Sequence, residues 1–130
     1  MLIHRGVFDR VGLFDEQLPA CEDYDLWLRI CALYPVLYVD RALLCKYGGH
    51  ADQLSRTVQA LDRYRIRALE KVLRSGVLKD GDQRAAEAML ASKIRVYAEG
   101  AAKRGRGEEV ERLRRRLAEL DAASGNLAAG

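Results

Sequence analysis

The most informative stretch of the chain reads Cys21-Glu22-Asp23-Tyr24-Asp25-Leu26-Trp27-Leu28-Arg29. Three carboxylates within four positions lead into apolar residues that recur at helical spacing from Leu26 onward. Acidic side chains in a first helical turn favour the positive end of the helix dipole. Pro35 disfavours helical backbone in the residue before it. The pattern therefore predicts a helix over residues 22–34, buried on most sides, with acidic side chains at its start.

Outside this helix, the first part of the chain has the pattern of short strands. Apolar runs of strand length occupy residues 1–4, 36–39 and 42–46, and Asp40-Arg41 forms a turn between the last two. Together with the acidic helix, these runs predict a mixed α/β fold for roughly the first 50 residues.

The second part of the chain, from about residue 55, is rich in Ala, Leu, Arg and Glu. Apolar residues repeat there with a helical period in three segments, which predicts helices over 57–74, 83–103 and 108–120. We expect residues 57–121 to form a helical tail. The small and polar residues of 122–130 are predicted to be disordered.

Composition excludes several classes of protein. The net charge of +3 in 130 residues is too small to indicate nucleic-acid binding. Three cysteines without a paired spacing give neither a disulfide framework nor a zinc site. No apolar run approaches the roughly 18 residues of a membrane span. We expect a cytoplasmic protein, and a peripheral contact with the inner face of a membrane stays open.

Three motifs in order give the chain a family resemblance. Glu22-Asp23-x-Asp25-Leu26-Trp27-x-Arg29 resembles the acidic motif of the family 2 glycosyltransferases. Residues 3–16, with Val7-Phe8-x-x-Val11-Gly12-x-Phe14-Asp15-Glu16, fit the sequence that precedes this motif, and Gly48-Gly49-His50-Ala51-Asp52-Gln53-Leu54-Ser55 fits the sequence that follows it. The resemblance implies that residues 1–56 are the C-terminal, acceptor-side portion of a GT-A glycosyltransferase domain.

The resemblance also implies catalytic roles. Asp23 falls on the catalytic base of an inverting transfer, which removes a proton from the acceptor hydroxyl. Glu22 is expected to assist it, and Asp25 to cap the helix. His50 corresponds to a ligand of the divalent metal, manganese or magnesium, that bridges the diphosphate of the nucleotide-sugar donor.

Further contacts are expected around this centre. Asp15 and Trp27 are predicted to face the acceptor, a saccharide or a lipid-linked saccharide. Gln53 and Arg56 are predicted to lie on the loop that carries His50, where a guanidinium suits phosphate.

The sequence departs from the family pattern in one large respect. It has no nucleotide-binding half and no Asp-x-Asp motif before Glu22. We therefore expect a fragment that is inactive by itself and binds no metal alone, with exposed apolar surface that favours self-association. Whether the chain is an enzyme in its own right stays open.

Two alternatives need no catalysis. The first is a helical interaction module that binds a partner protein through the stripe Leu113, Leu117 and Leu120. The second is a nucleic-acid binder that uses Lys103-Arg104-x-Arg106 and the basic residues of Arg112 to Arg116. Glutamates interrupt the latter run, which is more typical of a solvated helix face.

Overall fold

The computed structural model describes residues 2–45, 47 and 60–127, with side chains as far as Ala122. Five helices form in this part of the chain: α1 (Gly6–Val11), α2 (Glu22–Cys31), α3 (Asp62–Arg74), α4 (Asp80–Lys103) and α5 (Gly107–Leu127).

The expected α/β fold, a partial GT-A domain with a few short strands, is wrong for the described residues, which contain helices and no strand. Residues 36–39 and 42–45 have no regular secondary structure and expose most of their apolar side chains. Because a strand requires backbone hydrogen bonds from a neighbouring strand, and an isolated hairpin is marginal in water, an apolar strand pattern alone does not produce a sheet.

The predicted helices are present with shifted ends. Helix α2 ends at Cys31, before the predicted residue 34, and α3 ends at Arg74 as predicted. Helix α4 begins at Asp80, and α5 continues to Leu127. The start predicted for α3 at residue 57 lies outside the described residues, as does the division at residue 56 between the two predicted regions.

A tight reversal joins α4 to α5. Gly105 has φ +69°, a left-handed conformation that glycine adopts without steric cost. The N–H of Arg106 donates to the carbonyl of Ala101 at 3.1 Å, and that of Gly105 donates to Ala102 at 3.0 Å, the two bonds of a Schellman cap. This cap directs α5 back along α4.

The main core lies where α3 and α5 pack on α4. Helices α3 and α5 each pack on α4 and do not pack on each other. The buried apolar side chains that meet there are Ile66, Leu69, Leu90, Ala91, Ile94, Tyr97, Leu113 and Leu120. Helix α2 adds to this core, because Tyr24 and Leu28 pack against it. Thus α2, which carries the acidic motif, is held on the side of α3.

Candidate functional site

The first turn of α2 presents two carboxylates. Asp23 is exposed and Glu22 half-buried. The Asp23 Oδ1 atom accepts a hydrogen bond from the backbone N–H of Tyr24 at 2.7 Å. Cys21, directly before the helix, has φ 60° and ψ 23°, a left-handed conformation that is uncommon for a residue with a side chain. The chain therefore turns sharply at Cys21 before it presents Glu22 and Asp23.

Asp25, the third carboxylate, is buried, with 1% of its surface exposed. It forms ion pairs with Arg29 at 2.8 Å and with Lys71 of α3 at 3.1 Å. The predicted capping role is wrong, since α2 has no side-chain cap hydrogen bond. Asp25 instead joins two helices, because a buried carboxylate requires compensating charge and hydrogen bonds.

The same ion-pair network fixes the loop between α1 and α2. The Arg29 guanidinium donates to the carbonyl of Val11 and, at 2.7 Å, to that of Leu13. The Lys71 ammonium also lies 2.7 Å from Asp15 Oδ2. One lysine of α3 thus bridges Asp15 in the loop and Asp25 in the helix.

These contacts alter the acidity of Asp15. The hydrogen bond from Lys71, and then that from the backbone N–H of Gln17, hold the pKa of the Asp15 carboxyl below its usual value. Its carboxylate is half-buried and engaged by Lys71. The predicted contact between Asp15 and an acceptor stays a prediction.

The other predicted site residues are placed only in part. Trp27 lies on α2 and is half-buried. His50, Gln53 and Arg56 lie outside the described residues, so the predicted cleft between α2 and the Gly-Gly-His loop stays a prediction. Among the residues that the structure describes, no three His, Cys, Asp or Glu side chains form a group that could hold a metal ion. The described residues therefore do not supply the ligand set of the expected divalent metal.

Lys71 and Arg67 were missed as members of this region. Arg67 donates to Gln17 Oε1 at 2.8 Å, and so pairs α3 with the same loop as Lys71 does. In the sequence, both residues fall on the polar face of a predicted helix, where a solvated cation is the ordinary expectation. Their partners lie 46 to 56 positions away in the sequence, beyond any local pattern.

Comparison with known proteins gives relatives of one kind. The chain is 36% identical over 58 residues to an uncharacterized glycosyltransferase of Rickettsia felis, and 38% identical over 60 residues to one of Rickettsia bellii. It is 36% identical over 80 residues to an uncharacterized glycosyltransferase of Rickettsia typhi. These relatives support the resemblance to glycosyltransferases.

The match covers only part of each protein. The aligned residues make up 45%, 46% and 61% of this chain, but 10%, 9% and 23% of the respective relatives. No family model matches the chain, and no solved structure matches it significantly. No helix in the described ranges has the length and apolar character needed to cross a bilayer.

Proposed function

We propose that the chain is a segment of a family 2 glycosyltransferase and that it contributes the acceptor-side catalytic base, Asp23. The observation that carries this proposal is that two aspartates of one helical turn differ in burial and in ion pairing. Asp25 is buried and engaged by Arg29 and Lys71, whereas Asp23 is exposed at the start of the helix. Only Asp23 of these two is accessible to a hydroxyl from outside.

The reaction would be a sugar transfer with inversion. The acceptor oxygen attacks the anomeric carbon of a nucleotide-sugar and loses its proton to the Asp23 carboxylate, while the bond from that carbon to the nucleoside diphosphate breaks. A positioned carboxylate can accept a proton in this way when it lies within hydrogen-bond reach of the hydroxyl.

The surrounding residues would assist in different ways. Glu22, one position before the base, would orient the acceptor, and half-buried Trp27 would form part of the wall against which it binds. The network of Arg29, Asp25 and Lys71 would keep α2 and the loop before it in fixed positions. Such support matters because a base misplaced by about 1 Å can lose on the order of 100-fold in rate.

The remaining parts of the proposal concern the complete enzyme. A nucleotide-sugar would be the donor, and a saccharide or lipid-linked saccharide would be the acceptor. The proposal includes manganese or magnesium, with His50 as a ligand and Gln53 and Arg56 beside the phosphates. Oxygen ligands preferred by these ions would have to come from beyond the described residues. We place the reaction in the cytoplasm, at or near the inner face of the membrane.

The helical interaction module is less favoured as a function. Its proposed binding stripe is used within the chain, because Leu113 and Leu120 are buried in the core and Leu117 packs against it. A partner would have to displace α4 to reach these leucines.

The test combines this chain with a separately produced polypeptide that supplies a nucleotide-sugar-binding half. Transfer of radiolabelled sugar to an acceptor is measured for the parent, for Asp23→Asn and for Asp9→Asn. Asp9 is an exposed carboxylate on α1 and serves as the matched control. Loss of a general base typically lowers the rate by about 100-fold to 10,000-fold.

We expect Asp23→Asn to lower the rate of transfer by about 100-fold or more while the binding of the nucleotide-sugar is retained. Asp9→Asn should leave both unchanged. Equal turnover by Asp23→Asn and the parent would refute the assignment of the base. Thermal unfolding of each variant shows whether a lost activity reflects a lost fold.

A further inference from the structure

A second region of the molecule has the features of a binding site and lies apart from the acidic turn of α2. An open cavity of about 450 Å³ separates α3 from α5, and α4 forms its floor. The base of the cavity is apolar. It is formed by Ile94 of α4 together with Ile66 of α3 and Leu113 of α5, and all three are buried. A volume of this size is in the range of pockets that hold small organic molecules.

The walls of this cavity are strongly basic. Five arginines line it: Arg63 and Arg67 from α3, and Arg106, Arg112 and Arg116 from α5 and the turn before it. Two glutamates, Glu70 and Glu109, line it as well. Five arginines thus face two glutamates in the lining, and Glu119, outside the lining, also pairs with Arg116 at 2.9 Å.

The glutamates orient part of this basic wall. Glu70 lies 3.1 Å from Arg116 and links α3 to α5 across the cavity. Glu109 lies 3.4 Å from Arg106 and 3.7 Å from Arg112. Each glutamate thus pairs with at least one arginine of the cavity wall. The paired guanidinium groups keep further N–H donors for a ligand.

Glu109 is itself fixed from the floor of the cavity. The hydroxyl of buried Tyr97 donates to its carboxylate at 2.5 Å. This bond, which attaches a side chain of α5 to α4, limits the freedom of the arginines that Glu109 pairs with.

Arg63 and Arg67, the two arginines of α3 that line the cavity, have no carboxylate within ion-pair distance in the described part of the chain. Arg67 donates to the side-chain amide oxygen of Gln17, at 2.8 Å. The guanidinium of Arg63 lies over the ring of Tyr64, 4.5 Å from its centroid. Arg63 also donates to the Tyr64 hydroxyl, and Arg67 to the backbone carbonyl of Gln17. Since these partners are uncharged, both guanidinium groups keep their positive charge at the cavity wall.

We propose that this cavity binds an anionic organic phosphate, with the phosphate group held by the arginines of α3 and α5 and the organic part on the apolar floor. Guanidinium groups bind phosphate oxygens through paired, charge-assisted hydrogen bonds. The combination of a basic wall and an apolar floor suits a phosphate ester better than inorganic phosphate. The site does not include Asp23, although Arg67 takes part both in the cavity wall and in holding the loop before α2.

The test uses phenyl phosphate and inorganic phosphate as probes of the full chain, with binding measured by calorimetry at low ionic strength. We expect one phenyl phosphate site and an affinity at least about threefold higher than that for inorganic phosphate, because the phenyl ring adds apolar contact. No saturable binding of phenyl phosphate at millimolar concentration would overturn the proposal.

Matched variants locate the site. The double substitution Arg63→Gln and Arg67→Gln should weaken phenyl phosphate binding at least about tenfold, since charge-assisted hydrogen bonds are lost. The control, Arg114→Gln with Arg115→Gln, removes the same charge from exposed positions on α5 that do not line the cavity. Equal weakening by both pairs would show a diffuse electrostatic effect and refute the cavity.

If the first double variant does not fold, as judged by circular dichroism, Arg112→Gln takes its place. The Arg112 side chain is 72% exposed, so its replacement should not disturb the core. It should weaken binding at least about threefold, and an unchanged affinity would count against the proposal.

Vesicles of phosphatidylglycerol distinguish the two natural sources of such a phosphate. Binding to vesicles that phenyl phosphate displaces would identify a lipid headgroup as the ligand. Binding of phenyl phosphate without vesicle binding would identify a free organic phosphate. Tighter binding of a single-stranded oligonucleotide, weakened equally by both double variants, would instead indicate a nucleic-acid surface and overturn the proposal.

Discussion

Residues 60–122 and residues 36–45 are both rich in apolar side chains, yet they are buried to opposite degrees. In the helices of the first region, Leu90 and Ile94 have none of their surface exposed. In the second region, Leu37 is 89% exposed and Tyr38 is 87% exposed. Hydrophobicity alone therefore does not determine which apolar residues of this chain are buried.

The difference follows from where each kind of element finds its backbone hydrogen bonds. A helix satisfies most of its N–H and C=O groups internally, so its apolar stripe needs only another stripe to cover it. A strand needs a second strand for its backbone as well as a cover for its side chains. The described residues offer α4 as a cover for α3 and α5, but no strand to residues 36–45.

The sharpest test of the buried region compares two neighbours on α4. Leu90→Ala should lower the free energy of unfolding by about 4 kcal/mol, because it opens a cavity among fully buried side chains. Met89→Ala, at a side chain that is 45% exposed, should lower it by less than about 1 kcal/mol. Urea denaturation measures both free energies of unfolding. Similar losses for the two variants would mean that Leu90 is not more buried than Met89, contrary to the structure.

The second test separates the two aspartates of α2. Asp25→Asn should lower the free energy of unfolding by about 3 kcal/mol, because it leaves Arg29 and Lys71 without their shared carboxylate. This is the lower end for a buried ion pair, since Lys71 is 40% exposed and partly hydrated. The matched change Asp23→Asn should alter it by no more than about 0.5 kcal/mol.

Urea denaturation at neutral pH is again the measurement. A large loss of stability in Asp23→Asn would assign that residue to the fold and weaken its proposed role as a base. A negligible loss in Asp25→Asn would remove the network that joins α2 to α3.

A third, smaller effect concerns the polar contact between α4 and α5. The hydrogen bond from Tyr97, and then that from Arg106, hold the pKa of the Glu109 carboxyl below its ordinary value of 4.5. Since the folded state binds this proton less tightly than the unfolded state, the contribution is present above about pH 4.5 and is lost as the pH falls through the lowered pKa.

Glu109→Gln should therefore cost about 1 kcal/mol at pH 7, and the difference from the parent should shrink as the pH falls toward about 3. Thermal unfolding at a series of pH values measures it. Glu108→Gln, at an exposed neighbour, is the control. A difference that grows at low pH would contradict the assigned direction of the shift.

The sequence was a good guide to the helical region because its information is local. The stripe Val110, Leu113, Leu117 and Leu120 predicted the packed side of α5. The structure buries three of these residues and packs the half-buried Leu117 against the core. Met89 shares the apolar helical pattern of α4 with Leu90 and Ile94 but is 45% exposed. The helical period identifies the apolar face of a helix, but the neighbouring helices determine how much of that face is buried.

The sequence was a poorer guide wherever distant residues decide the outcome. The strand predicted for residues 36–39 is wrong, because no local pattern states whether a pairing strand is present. Likewise, nothing near Asp25 indicates that Lys71 would neutralise it. The acidic motif located the carboxylates of α2, whereas their separation into a buried, ion-paired carboxylate and an exposed one required the position of α3.

The smallest expected effect concerns the exposed apolar residues of 36–45. Leu37→Ser should change the free energy of unfolding by less than about 0.5 kcal/mol, because its side chain is already in water in the folded state. It should also reduce the fluorescence of a dye that binds apolar surface, which the buried leucines of α4 cannot affect without unfolding. A loss of about 2 kcal/mol or more would mean that residue 37 is buried when the chain folds. In that case residues 36–45 would have a cover of their own, and the contrast with the helical region would disappear.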